Sequence, residues 1–267
     1  MSITFSTAWY ILQAKFDPDV YATWIYNMIS CVHNYNLVIY ADEIGMQFLK
    51  DRFSEYLINP HIKIVLKPLE SFYNYKYKDQ WIQNHKNNHY LNGRTEWKLH
   101  MLWAEKVHFV DETCKQQYFD TDFYGWCDIG YFRDCPCPDF PSCNKIEALN
   151  PKKIYYACVN NNHKQMNSLM KMVNNKNRDG LPMVPLPPQQ ISVAAGFFIV
   201  HRDRSDEWKN TFDKRLHSYF KCGYFVKDDQ IIVIDCIFSD LKSFCFVREP
   251  DNHNSSTIWF LFQRYLQ

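Results

Sequence analysis

The chain has 267 residues, 46% hydrophobic, 17% aromatic and 22% charged, with a formal net charge of +1. This composition builds a folded core and excludes a disordered chain, and the charge balance lacks the Lys/Arg excess that a nucleic-acid binder gathers on one face. With no long Pro/Gly/Ser linker, the length fits one domain, 1–267.

In chain order, MSITFSTAWYILQAKFDPD has no basic stretch ahead of an apolar core, and no run of about 18 apolar residues follows anywhere. A cytoplasmic protein without a transmembrane segment is expected. Residues 2–14 carry strand-like Thr, Phe, Trp, Tyr and Ile and read as a first buried strand. Asp17 then caps a helix that Pro18 opens, with Val20, Trp24, Ile25, Met28, Ile29 and Val32 on one face. LVIYA at 37–41 is a second strand ending at Asp42, and Leu49, Phe53, Tyr56 and Leu57 mark a second helix. IKIVLKPL at 62–69 is a third strand, so strands and helices alternate as in a parallel sheet with both faces covered.

Residues 72–93 are polar, aromatic and Asn-rich without a clean period, and read as a long loop, a lid or acceptor contact or else a solvated insertion. From Thr95 to about Val110, EWKLHMLWAEKVHFV reads as a deeply packed helix, and FYGWCDIGYFRD at 123–134 as an aromatic strand interrupted by Asp128 and Gly130. Cys135, Cys137 and Cys143 lack the paired C-x-x-C spacing of a zinc ribbon and read as reduced thiols on a Pro-stiffened loop. KIYYACV at 153–159 and VAAGFFIVHR at 193–202 complete the central strands, with the PMVPLPPQQ run as an extended connector between them. Trp208, Phe212, Leu216 and Phe220 mark a helix capped at Ser205 and Asp206, and DDQIIVIDCIFSDL at 228–241 reads as a buried helix whose N-terminus faces the site.

The chemistry centres on Asp128. An acid directly after a buried strand lies where open α/β sheets bind ligands, and a carboxylate there needs a cation, a donor cluster or a metal beside it. Gly130 either lets a diphosphate or sugar approach the backbone or supplies a turn that Asp128 caps. Asp228 and Asp229 open an apolar helix, where the dipole stabilises carboxylates with or without a function. Trp9 and Trp126 are read as stacking a base or sugar, or as core.

WCDIGYFR, preceded by EWKLHMLW and followed by AAGFFIVHR and DDQIIV, resembles the HtrL/YibB type of glycosyltransferase-like proteins, and YILQAKFDPDVYATWIYNM and LVIYADE look like that family's opening. The likeness runs in order through most of the chain and implies a GT-A-like, Rossmann-type, mostly parallel sheet flanked by helices. It implies a nucleotide-binding half at 1–110 and a metal and acceptor half at 111–267, with a sugar moving from a nucleoside-diphosphate-sugar donor to a glycan or small acceptor.

The same resemblance implies Mn²⁺ or Mg²⁺ on Asp128, with His253, and less so His201, as a further ligand. Gly130 stands where the second acid of the superfamily's Asp-x-Asp motif belongs, so donor phosphates and water would complete the shell. Asp42 is expected at the base or ribose, or as a turn acid. Arg94 and Lys98 are expected near the phosphates, or as solvated charges. Asp229, directly before Gln230, is the expected proton acceptor with Asp228 beside it. Two alternatives stand: a non-catalytic nucleotide or sugar binder of the same fold, and a metal-dependent phosphoesterase, whose cluster of carboxylates and histidines is not visible in the chain.

Overall fold

The computed structural model of the protein describes residues 3–249 and 257–267. β1 (Ile3–Trp9) is buried along its length, and α1 (Pro18–Ile29) starts where Asp17 accepts from the Asp19 amide at 3.0 Å. β2 (Asn36–Ala41), α2 (Glu43–Leu57) and β3 (Ile62–Leu66) continue the alternation that the apolar periods predict. α3 (Lys78–Lys86) precedes α4 (Trp97–Gln116), which is buried on nearly every side and leads to β4 (Phe123–Cys127). Next come α5 (Cys143–Glu147), β5 (Ile154–Cys158), α6 (His163–Asn174) and β6 (Val193–His201). α7 (Ser205–Lys221), α8 (Asp229–Ser239), β7 (Phe244–Val247) and α9 (Leu261–Tyr265) complete the chain.

The strands form one seven-stranded sheet in the order β3-β2-β1-β4-β6-β5-β7, which runs through both halves of the chain. β6 is antiparallel to its neighbours β4 and β5, and the other adjacent pairs are parallel. The expected mixed α/β architecture with a mostly parallel sheet is therefore observed. Alternate side chains along the strands enter two cores. On one face Tyr124, Trp126 and Phe198 pack with α4, α7 and α8; on the other Phe5, Phe123 and Phe197 pack with α1, Phe140 and Phe262.

The chain leaves β1 toward β2 and β3, then returns to place β4 on the other side of β1. The carboxyl ends of β1 and β4 thus lie side by side at a reversal of strand order, which is where such sheets bind ligands.

Several elements differ from the sequence reading. Residues 72–93 are not an irregular loop: 3₁₀ turns and α3 occupy the segment, and Trp81 is buried against Phe220 of α7. Its polar surface hid the few anchors. The buried Glu105 carboxylate of α4 accepts from the Tyr73 and Asn74 amides at 2.7 and 3.0 Å, holding this segment to the core. The buried stripe Met166, Leu169, Val173 makes α6 between β5 and the Pro-rich connector, a helix that the sequence reading does not include, and it does not include the short β7 either. α7 begins without a side-chain cap bond from Ser205 or Asp206; Asp206 instead pairs with Lys115 and Lys209. Among the described residues no helix is long and apolar enough to cross a membrane.

Candidate functional site

A cavity of about 580 Å³ opens at the carboxyl ends of β1 and β4. Its floor is Trp126, Asp128 and the Ala194–Gly196 stretch of β6; α4 contributes Leu99, Leu102, Trp103 and Lys106, and the start of α8 contributes Asp228, Asp229 and Gln230. Lys15 and Phe16 after β1, Arg133 after β4, and Trp259 and Phe260 complete the wall.

Lys106 is the centre of the arrangement. Its Nζ lies 3.1 Å from Asp128 Oδ1, 3.2 Å from Asp229 Oδ2 and 3.1 Å from the Ala195 carbonyl, so its three donors have three acceptors. The side chains of Lys106 and Asp229 are each only 7% exposed, whereas that of Asp128 is 44% exposed and faces the cavity. Trp126 Nε1 donates to Asp128 Oδ1 at 2.6 Å, and the Asp128 amide donates to Gly196 O at 2.8 Å, extending the β4–β6 ladder by one bond to set the acid's position.

Burial opposes the charge on Lys106, but Asp128 and then Asp229 outweigh it and hold the ammonium above its ordinary range. Burial also pushes the Asp229 carboxyl up to about 7; Asp228 and Asp128 add to the rise and Lys106 opposes it. The two directions are compatible, because Asp128 keeps the ammonium paired when Asp229 takes up a proton. Asp228 pairs with Lys227 at 3.1 Å through Oδ2, while its buried Oδ1 has no hydrogen-bond partner among the described residues.

The loop carrying these acids is anchored from behind. Asn84 of α3 donates to Val226 O at 2.6 Å and accepts from Val226 N at 2.9 Å, and Asn88 donates to Lys227 O at 3.0 Å. The segment read as a lid or acceptor contact, or else a solvated insertion, thus braces the start of α8.

Of the residues singled out from the sequence, Asp128, Asp228, Asp229, Gly130, Trp126 and Trp9 line the cavity. The tryptophans do not offer a stacking face: Trp126 is 2% exposed and stacks on Phe109, and Trp9 is 4% exposed and packs against Tyr21 and Phe48. The space that Gly130 leaves is filled by Trp24, since a Cβ there would meet its ring at 2.8 Å; the glycine serves the packing of α1 on the β4 loop.

Asp42 stands apart, because its Oδ1 accepts from Gly45 N at 2.7 Å as the cap of α2 and it does not line the cavity. Arg94 is exposed and Lys98 lies 3.9 Å from Glu96; neither reaches the cavity, and Lys106, about two helical turns beyond Lys98, takes that place. His201 ends β6 beside Phe123, at the end of the strands opposite Asp128, and His253 lies outside the described residues. Lys106, Lys15 and Arg133 are site residues that the sequence reading did not single out, and Gln230 entered it only as the neighbour of Asp229. The signal for Lys106 was its place on the helical stripe Leu99, Leu102, Lys106 of an otherwise buried helix.

The divalent ion expected on Asp128 would need ligands beyond that carboxylate. Among the described residues no group of three or more His, Cys, Asp or Glu gathers to hold a metal. Oδ1 of Asp128 already receives the Lys106 ammonium and the Trp126 indole, which leaves Oδ2 as the one carboxylate oxygen to offer. The described residues place an ammonium between Asp128 and Asp229, so a divalent ion on Asp128 would draw most of its ligands from donor phosphates and water.

No family model matches the chain, and no curated protein matches it. Among solved structures it is similar to the apo form of mouse xyloside xylosyltransferase 1, with a TM-score of 0.52 at 11% identity over 100% of this chain and 94% of that one. The likeness is one of fold, to a glycosyltransferase along nearly its whole length.

Proposed function

We propose that the protein is a glycosyltransferase that moves a sugar from a nucleoside-diphosphate-sugar donor to a hydroxyl of a glycan or small acceptor. The observation that carries this reading is the Lys106 ammonium, which holds a cavity-facing carboxylate, Asp128, and a proton-accepting one, Asp229, together where the strand order reverses. The fold likeness to a xylosyltransferase is consistent with it.

In a direct displacement the acceptor oxygen forms a bond to the anomeric carbon as the bond from that carbon to the diphosphate breaks, its electron pair leaving with the diphosphate. The acceptor's proton passes to Asp229, whose carboxyl at about 7 is poised to take it near neutrality. Asp128 and Gln230 line the cavity with groups that accept or donate hydrogen bonds to sugar hydroxyls. Lys106 remains charged throughout and keeps both acids in register.

The test is release of nucleoside diphosphate from UDP-, GDP-, CDP- and dTDP-sugars, with an acceptor mixture, by wild type and Asp229→Asn. Turnover by wild type that falls about 10²- to 10⁴-fold in the variant is expected. Tight nucleotide binding without turnover on any donor would move the protein to the non-catalytic binder reading.

A further inference from the structure

The glycosyl-transfer reading leaves open how the charge on the departing diphosphate is met. Resting on that reading, we propose that the donor's diphosphate is held by cations of the chain itself, Lys15 and Arg133, without a divalent ion. An ion joining the donor to Asp128 would have to compete with the Lys106 ammonium at Oδ1 or rest on Oδ2 alone. That ammonium is no loose surface charge, since its three acceptors lie within 3.2 Å.

The two rim cations are placed for an anion. Both line the cavity and are exposed, and among the described residues neither has a carboxylate in ion-pairing contact. Lys15 Nζ stands 5.7 Å from the centre of the Trp103 ring. The Arg133 guanidinium lies 4.4 Å from the centre of the Trp24 ring, with Phe16 at 5.3 Å and Phe260 at 5.1 Å, and its Nε donates to Gly130 O at 3.3 Å.

Aromatic rings and one backbone carbonyl thus fix the guanidinium plane. Its Nη1 and Nη2 donors have no partner among the described residues. A fixed planar fork with unpaired donors matches phosphate oxygens in pairs, and the flexible Lys15, next in sequence to the Phe16 that packs on Arg133, adds a point charge. Free cations are kept at the rim while the buried one is bound to acids, so the cavity separates charge neutralisation at the phosphates from proton transfer at Asp229.

The test is isothermal titration of the full chain with UDP, GDP, CDP and dTDP separately, first in EDTA and then with millimolar Mn²⁺ or Mg²⁺. One nucleotide is expected to bind in EDTA, with a Kd that metal changes by less than about tenfold, and Lys15→Ala and Arg133→Ala are each expected to weaken it by about tenfold or more while melting like wild type. A Kd that tightens about tenfold or more with metal, or variants that bind as wild type does, overturns the inference and leaves the donor site standing. A failure of every nucleotide to bind with or without metal removes the transferase reading itself, and this inference with it.

Discussion

A Cβ added to Gly196 would lie 2.8 Å from Oδ2 of Asp128, so the glycine of β6 and the acid after β4 share a space that no larger residue leaves open. Gly196→Ala meets only the end of a side chain, which can swing away. The variant is therefore expected to melt within a few degrees of wild type and to lose about 10²-fold in kcat/KM, because the carboxylate moves on the scale that disrupts a reacting geometry. Circular dichroism melts with steady-state kinetics check both halves of that expectation.

The raised Asp229 carboxyl makes a pH prediction of definite sign. An acid whose folded pKa lies above its unfolded value keeps its proton in the native state while the unfolded chain loses it. Stability therefore falls as pH rises from about 4 to about 7 and levels off above. Asp229→Asn removes that slope, which denaturant titrations across the window measure. The rate has the opposite dependence: kcat/KM rises through about pH 7 as Asp229 becomes able to accept a proton, and the asparagine variant loses that limb.

Removing the charge of Lys106 leaves two acids facing each other without a cation. Lys106→Met is expected to destabilise the fold by about 3–5 kcal/mol, the usual cost of breaking a buried pair from one side. Adding Asp229→Asn is expected to recover much of that loss, since the buried partner is then neutral. Urea titrations of the two single variants and the double variant give the coupling directly.

Asn84 tests whether the segment before α4 is a brace. Asn84→Ala leaves the Val226 amide and carbonyl without their partners and is expected to cost about 2–3 kcal/mol. Faster hydrogen exchange at 226–230 and a lower kcat with little change in KM would mark loosening of the acids, whereas a lid role would raise exchange over 72–93 alone.

The fold was legible wherever burial imposed a period. α1, β2, α2 and β3 lie where their apolar residues placed them, whereas β1 stops at Trp9, short of the strand read over 2–14; Asp128 and Asp229, which line the cavity, were singled out because each follows or opens an apolar run. The cations were harder to see. Arg94 and Lys98 were read from nearness in sequence, but the rise of α4 carries its inward charge to Lys106, and Lys15 and Arg133 sit on loops with no period to reveal them. Trp126 and Gly130 were noticed as unusual, but contacts from distant residues, Phe109 and Trp24, decide what they do.

The donor site proposed at Asp128 is tested most directly by the thermal shift of wild type and Asp128→Ala against UDP, GDP, CDP and dTDP and their sugars. A ligand at about 100 times its Kd stabilises the fold by about 2.7 kcal/mol, a shift of several degrees. Such a shift is expected in wild type with one nucleotide and its sugars, and the part of it that the sugar adds over the bare nucleotide is expected to disappear in an Asp128→Ala variant that remains folded. An equal sugar-dependent shift in Asp128→Ala, or no shift in wild type with any nucleotide, contradicts the reading.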